Sequence, residues 1–182
     1  MTDAVAVLEP HPARPAAGIR RVAAAARLEG GTLRLQFRVE GDPTRLRLPL
    51  PAGARRRDGL WQHTCFEAFL RPDASDSYYE FNLSPSGEWA AYRYDVRRGG
   101  CTHPELPVPS IDFAARADGC DLNAAIPVAA LAELAQAPAL AAGLTAVIEQ
   151  DDGALSYWAL AHAGASPDFH DPTTFRMRLV PA

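Results

Sequence analysis

The feature that most constrains this chain is a succession of short runs in which apolar and polar residues alternate. Leu33, Leu35, Phe37 and Val39 are interleaved with Arg34, Gln36 and Arg38. A period of two places the first set on one face of an extended strand and the second on the other. Leu46, Leu48 and Leu50 alternate in the same way with Arg45, Arg47 and Pro49, the proline marking an edge or a strand end. Further strand-like runs cover residues 64–70, 78–84, 89–95, 120–126, 144–150, 155–161 and 175–180, punctuated by Gly, Pro and Asp. Only residues 127–138 (PVAALAELAQAP) read as a helix, with Pro127 in its first turn and Pro138 at its stop. One short helix cannot cover a parallel sheet. The expectation is an all-β fold, an antiparallel β-sandwich of about ten strands with one short helix.

The 182 residues suit one ordinary domain, and 48% apolar content is enough for a sizeable core. Residues 1–18 carry Pro10, Pro12, Pro15 and Gly18 and are expected to be a Pro-rich lead-in, with residues 19–182 forming one domain. The net charge is −4, whereas a protein that neutralises phosphates should be basic, so nucleic acid is not an expected partner. All 18 cations are Arg, a bias that suggests a GC-rich bacterial genome. Three cysteines, Cys65, Cys101 and Cys120, cannot all pair within the chain. The opening residues lack the basic start and long apolar run of an export signal, and no apolar stretch is long enough to span a bilayer. A cytoplasmic protein without membrane contact is therefore expected.

Two hairpins carry most of the chemistry. In YYEFNLSPSGEWAAYRYD, a two-residue turn at Ser86-Gly87 pairs Leu83 with Ala90, Phe81 with Tyr92 and Tyr79 with Tyr94. That register makes one face apolar. The other face then holds Tyr78, Glu80, Asn82 and Ser84 beside Trp89 and Arg93, with Glu80 opposite Arg93. Such a face is either plainly solvated or suited to a planar polar ligand. AVIEQDDGALSYWALAH turns at residues 151–153, where two- and three-residue loops assign the faces differently. Its register stays open, and it is expected to be a central hairpin with little exposed surface. In LWQHTCFEAFL, an extended strand would align Trp61, His63, Cys65, Glu67 and Phe69 on one face at intervals of about 6.6–7 Å.

With a Trp six residues before a Glu in LWQHTCFEAFL, with YYEFNLSPSGEWAAYRYD, and with the closing segments LSYWALAH, PDFHD and FRMRLV, the chain resembles the DOMON-like superfamily. Within it, the chain is similar to family 9 carbohydrate-binding modules and to stand-alone bacterial DOMON-like proteins, over roughly residues 30–180. The resemblance implies a jelly-roll β-sandwich whose face or loop end holds a sugar, or haem in other branches. It implies that Trp61 is a stacking ring and Glu67 a hydroxyl acceptor, with Arg93 as the counterpart of a sugar-binding Arg. Trp158 and Trp89 are the candidates for a second ring. The sugar-binding branch also carries structural calcium, for which Asp73, Asp76, Asp151 and Asp152 offer oxygen ligands, although no EF-hand loop is present.

Other constellations are less specific. His162, Asp168, His170 and Asp171 are residue types suited to a transition metal, but the gap between the histidines matches no compact ligand spacing. Met177 shares a strand face with Phe175 and Leu179, as a core residue would, and no CxxCH haem-attachment motif exists; a haem site would have to use His63 or His170. His63 and Cys65 could share a face, yet no third catalytic partner lies near them in sequence, and GxSxG, P-loop and dinucleotide motifs are absent. The functional expectation is a non-catalytic domain that binds a small polar ligand, a carbohydrate, through Trp61, Glu67, Arg93, Glu80, Trp89 and His63, with no cofactor. Its rivals are a haem-binding DOMON-type protein, and a structural or interaction sandwich without a small ligand.

Overall fold

Strand β2 (Ile19–Glu29) turns through Gly30-Gly31 into strand β3 (Thr32–Gly41), pairing Glu29 with Thr32. Both turn glycines have positive φ, 55° and 74°, the backbone that a two-residue hairpin loop needs. This long hairpin belongs to a computed structural model that describes residues 5–73 and 75–181. Strand β8 (Gly119–Ile126) pairs with β3, and strand β7 (Ser110–Arg116) pairs with the outer edge of β8, completing one layer. The other layer starts with the meander of β4 (Cys65–Pro72), β5 (Tyr78–Leu83) and β6 (Trp89–Tyr94). Strand β9 (Leu140–Glu149) pairs with the free edge of β4, while β10 (Leu155–Ala159) and β11 (Met177–Leu179) share the far edge of β9. Strand β1 (Ala6–Pro10) joins the layers: Ala6, Val7 and Leu8 pair with β2, and Glu9 and Pro10 pair with β10. Among the described residues these eleven strands pair antiparallel throughout, as an all-β sandwich requires.

The core lies between the layers. Leu33, Leu35, Phe37 and Val39 from β3 join Phe66, Ala68 and Leu70 from β4 and Tyr79, Phe81 and Leu83 from β5 in one buried cluster. Phe37 and Phe66 meet across the layers with ring centroids 5.1 Å apart. Both faces of β4 and β5 are buried, so the face of this layer that points away from the core must be covered by something else. Loops before β4 and after β10 cover it, and the candidate site lies beneath them.

Four sequence expectations change. Residues 1–4 of the expected lead-in lie outside the described residues, but the remainder supplies β1, because Leu8 reaches the core and Pro10 sits at the strand's last position. Strand β7 was not among the expected runs; only alternate residues along it are partly buried. The expected strand over residues 46–50 is reduced to a single bridge between Leu46 and Gln150, since Pro43 starts a 3-10 turn and Pro49 and Pro51 cannot donate to a ladder. The helix over 127–138 breaks into a 3-10 turn at Val128–Ala130 and one short helix, α1 (Ala132–Ala135), with Leu131 extended between them.

The register of the β5–β6 hairpin also differs, and this difference governs the site. Leu83 pairs with Trp89, Phe81 with Ala91 and Tyr79 with Arg93. The N–H of Gly87 donates to the Ser84 carbonyl at 3.0 Å, and the N–H of Ser84 donates to the Glu88 carbonyl at 3.0 Å. The loop is therefore the three residues Pro85, Ser86 and Gly87, ending on a glycine at φ 88°. One extra loop residue moves every β6 side chain to the opposite face. The β9–β10 hairpin uses the same device: Gly153, at φ 83°, donates to Gln150, and Gln150 donates to Ala154.

Gly87→Ala should accordingly destabilise the protein by about 1–2 kcal/mol, the cost of forcing an L-residue into a left-handed conformation. The added methyl would only touch the Gly53 backbone, at 3.4 Å, so the cost lies in the turn's own conformation. Urea unfolding would show the effect as a lower midpoint with an unchanged slope; an unchanged midpoint would contradict this turn assignment.

Candidate functional site

On the outward face of the second layer, β4 contributes Cys65, Glu67 and Phe69, and β5 contributes Tyr78, Glu80 and Asn82. The observed register adds Ala90, Tyr92 and Tyr94 from β6 to that face, while Thr145, Val147 and Tyr157 come from β9 and β10. Glu67, Phe69, Glu80, Tyr92, Tyr94 and Val147 line a cleft of about 940 Å³. Two loop walls rise above this floor.

The first wall is the segment before β4. Gly59, at φ 76°, starts a 3-10 turn at Leu60–Gln62, so the chain enters β4 only at Cys65. Trp61 is consequently not on the strand; it stands at the cleft wall with 49% of its surface exposed. Beside it, the Tyr92 hydroxyl donates to Asp58 Oδ1 at 2.9 Å, and His103 packs edge-on against the Tyr92 ring at 5.3 Å. The second wall is the segment after β10. Asp168 accepts from Arg97 and, at 2.9 Å, from Arg98, and Arg97 also reaches Asp171 at 3.2 Å. These ion pairs tie the segment to the loop that follows β6. Burial alone would raise the Asp168 pKa, but the two guanidiniums more than offset it and hold the carboxyl below its ordinary value.

The floor is electrostatically unusual. Glu67 is 3% exposed and Glu80 4%. Glu67 Oε2 accepts from the Thr145 hydroxyl at 3.1 Å, and Glu80 Oε1 accepts from the Asn82 amide at 2.8 Å. Burial pushes Glu67 well above the ordinary carboxylate range, and the charge of Glu80 adds to the shift. Burial raises Glu80 as well, against hydrogen bonds from Asn82 and Tyr94. Glu80 Oε2 is buried and has no hydrogen-bond partner. His170 Nε2 lies 3.6 Å from it, beyond hydrogen-bonding distance. Burial, with Arg98 nearby, pulls His170 down to about 4, so at neutral pH the contact is not an ion pair. The Tyr78 hydroxyl lies 2.8 Å from His170 Nδ1 and accepts from the backbone N–H of Arg98 at 3.1 Å.

Of the six residues singled out from the sequence, Trp61, Glu67 and Glu80 line one cleft. The other three do not. Arg93 lies on the opposite face of β6, where it pairs with Glu133 at 2.7 Å and with Asp95; the expected Glu80–Arg93 pair is absent because Tyr92 stands opposite Glu80. Trp89 is buried in the core, with the Arg56 guanidinium 4.9 Å from its ring centroid. His63 points away from the cleft and bonds Glu149 at 2.7 Å through Nδ1, since the 3-10 turn breaks the alternation expected from Trp61 onward. Trp158 is also a core residue, its indole N–H donating to Ser156 at 3.1 Å.

The metal candidates are scattered. His162 Nε2 contacts the Glu9 carbonyl, Asp168 is committed to two arginines, His170 to Tyr78, and Asp171 caps the turn at Pro172–Thr174. Among the described residues no group of three or more His, Cys, Asp and Glu side chains is placed to hold a metal ion. Asp73 and Asp151 are paired with Arg178 and Arg45, each at 2.9 Å. Sequence reasoning missed Tyr92, Tyr94, Tyr157, Asp58, His103 and Arg98. Reading PSG as a three-residue loop would have placed Tyr92 and Tyr94 beside Glu80; the others reach the cleft only through tertiary contacts.

No family profile and no curated protein matches this chain. Solved structures share its fold. A protein from Bacteroides uniformis ATCC 8492, provisionally described as carbohydrate-binding, superposes with a TM-score of 0.72 at 14% identity, over 99% of this chain and 87% of that one. A family 9 carbohydrate-binding module from Caldicellulosiruptor kristjanssonii in complex with glucose gives 0.53 at 11% identity, over 96% and 84%. A family 9 module from the same organism in complex with cellotriose gives 0.54 at 12% identity, over 96% and 81%. At such identities the likeness establishes a shared carbohydrate-binding-module-like fold.

Proposed function

We propose that this protein binds a carbohydrate in the cleft on the outward face of β4, β5 and β6. One observation carries the reading: a buried carboxylate oxygen, Glu80 Oε2, has no partner on the floor of an aromatic-walled cleft. A buried acceptor without a donor is costly, and a ligand hydroxyl placed there relieves that cost. Glu67 offers a second acceptor. Trp61 gives an exposed indole face suited to the apolar C–H face of a sugar ring, and Tyr92, Tyr94 and Tyr157 add further aromatic surface. The fold shared with sugar-binding modules supports the same reading.

Isothermal titration with glucose, cellobiose and cellotriose tests it. At least one sugar should bind the wild type, and Trp61→Ala should weaken binding about tenfold or more, as loss of an anchoring aromatic does. Undiminished binding to both Trp61→Ala and Glu80→Gln would place the sugar elsewhere on the protein.

A further inference from the structure

We propose that the cleft selects a sugar bearing a primary amine, with the ammonium seated against Glu80 and Glu67, over the corresponding neutral sugar. This inference rests on the carbohydrate reading above and narrows its ligand class.

Most hydrogen-bonding groups on the floor are already used. Thr145 spends its hydroxyl proton on Glu67, and Asn82 spends an amide N–H on Glu80. Tyr92 donates to Asp58, and the Arg98 guanidinium is held by Asp168. The Tyr94 hydroxyl also donates to Glu80, and His170 Nε2 stops 3.6 Å from it; what is left without a partner is a buried acceptor, Oε2 of the cleft-lining Glu80. Asn82 Oδ1, on the same face of β5, is unpartnered as well. The ligand must therefore supply donors. A hydroxyl supplies one, whereas an ammonium supplies three together with a charge.

Charge and surface chemistry point the same way. Glu67 and Glu80 face the cleft from adjacent strands, and each opposes the ionisation of the other. A cation between them turns that repulsion into two attractions, which a neutral sugar cannot do. Asp58 adds a third carboxylate at the wall, and Trp61, Tyr92, Tyr94 and Tyr157 present ring surfaces that attract cations. Arg14, exposed at the cleft, and Arg98, whose charge reaches Glu80 although it is paired with Asp168, oppose this preference. His170 stays neutral near neutral pH and does not oppose it.

The test is calorimetric titration near neutral pH, where the amine still carries its proton and the raised carboxyls of Glu67 and Glu80 are closer to ionised than in acid, with D-glucosamine, D-glucose and N-acetyl-D-glucosamine, the last having the same nitrogen without its charge. Glucosamine should bind at least about tenfold more tightly than the other two, as expected for a charge-assisted contact in a buried site. In Glu80→Gln that preference should fall below about threefold. Equal or weaker binding of glucosamine than of glucose overturns the inference and leaves the carbohydrate reading standing. Binding of none of the three overturns both. A preference that survives intact in Glu80→Gln rules out this seat for the ammonium. The wild-type comparison is decisive by itself if the variant does not fold.

Discussion

Phe66→Ala is expected to destabilise the protein by about 3–5 kcal/mol, the usual cost of deleting a buried phenyl ring. Phe66 is fully buried and meets Phe37 of the other layer, so its removal opens a void at the junction of the two sheets. In a chain of this length the loss corresponds to a melting temperature lower by roughly 6–20 °C. Below the new transition, ligand affinity should be almost unchanged, because the side chain points into the core and away from the cleft. Calorimetric unfolding together with a binding titration at low temperature checks both halves. A drop of only about a degree would mean that Phe66 does not join the layers.

Glu67→Gln, one residue further along β4, should do the reverse. Its side chain occupies the cleft face, where burial and the charge of Glu80 hold its pKa well above the ordinary value of 4.5. The folded protein thus keeps a proton that the unfolded chain has released. Native protein binds more protons than unfolded protein in that window, so the contribution of Glu67 to stability falls as pH rises from near 4.5 toward the folded pKa. Glutamine cannot ionise. The variant should match the wild type at low pH and become the more stable of the two as pH rises. A difference of about 1 kcal/mol corresponds to roughly 2–4 °C in melting temperature for a chain of this length. Its sugar affinity should fall about twofold to tenfold, the range for losing a hydrogen bond to a neutral group. Melting curves of both proteins across pH, paired with titrations, separate the two effects. A variant less stable than the wild type at neutral pH would show that Glu67 is fully satisfied without ligand.

These two neighbours also show what was legible in the sequence. Strict alternation in CFEAFL assigns Phe66, Ala68 and Leu70 to one face and Cys65, Glu67 and Phe69 to the other, and the structure keeps that division. Period two depends only on the backbone, so it survives any tertiary context. It fails where the backbone leaves the strand: Trp61 and His63 share parity with Glu67, yet the turn after Gly59 sends one into the cleft and the other toward Glu149. Loop length is the other weak point. A single residue in the PSG turn decides whether Arg93 or Tyr92 stands across from Glu80. Asp58, His103 and Arg98 carry no local signal, because they reach the cleft through partners far away in sequence.

Strand β1 has a consequence for how the protein is made. Its first three residues pair with β2, nearby in sequence, whereas Glu9 waits for Ala159. On a ribosome the clasp between the sheets cannot close until Ala159 has emerged, and pairings between such distant segments form slowly. In the interval the edge of β4 that will pair with β9 stays open, and the core lacks what β9 and β10 contribute. Nascent chains at that stage would be the natural clients of a holdase.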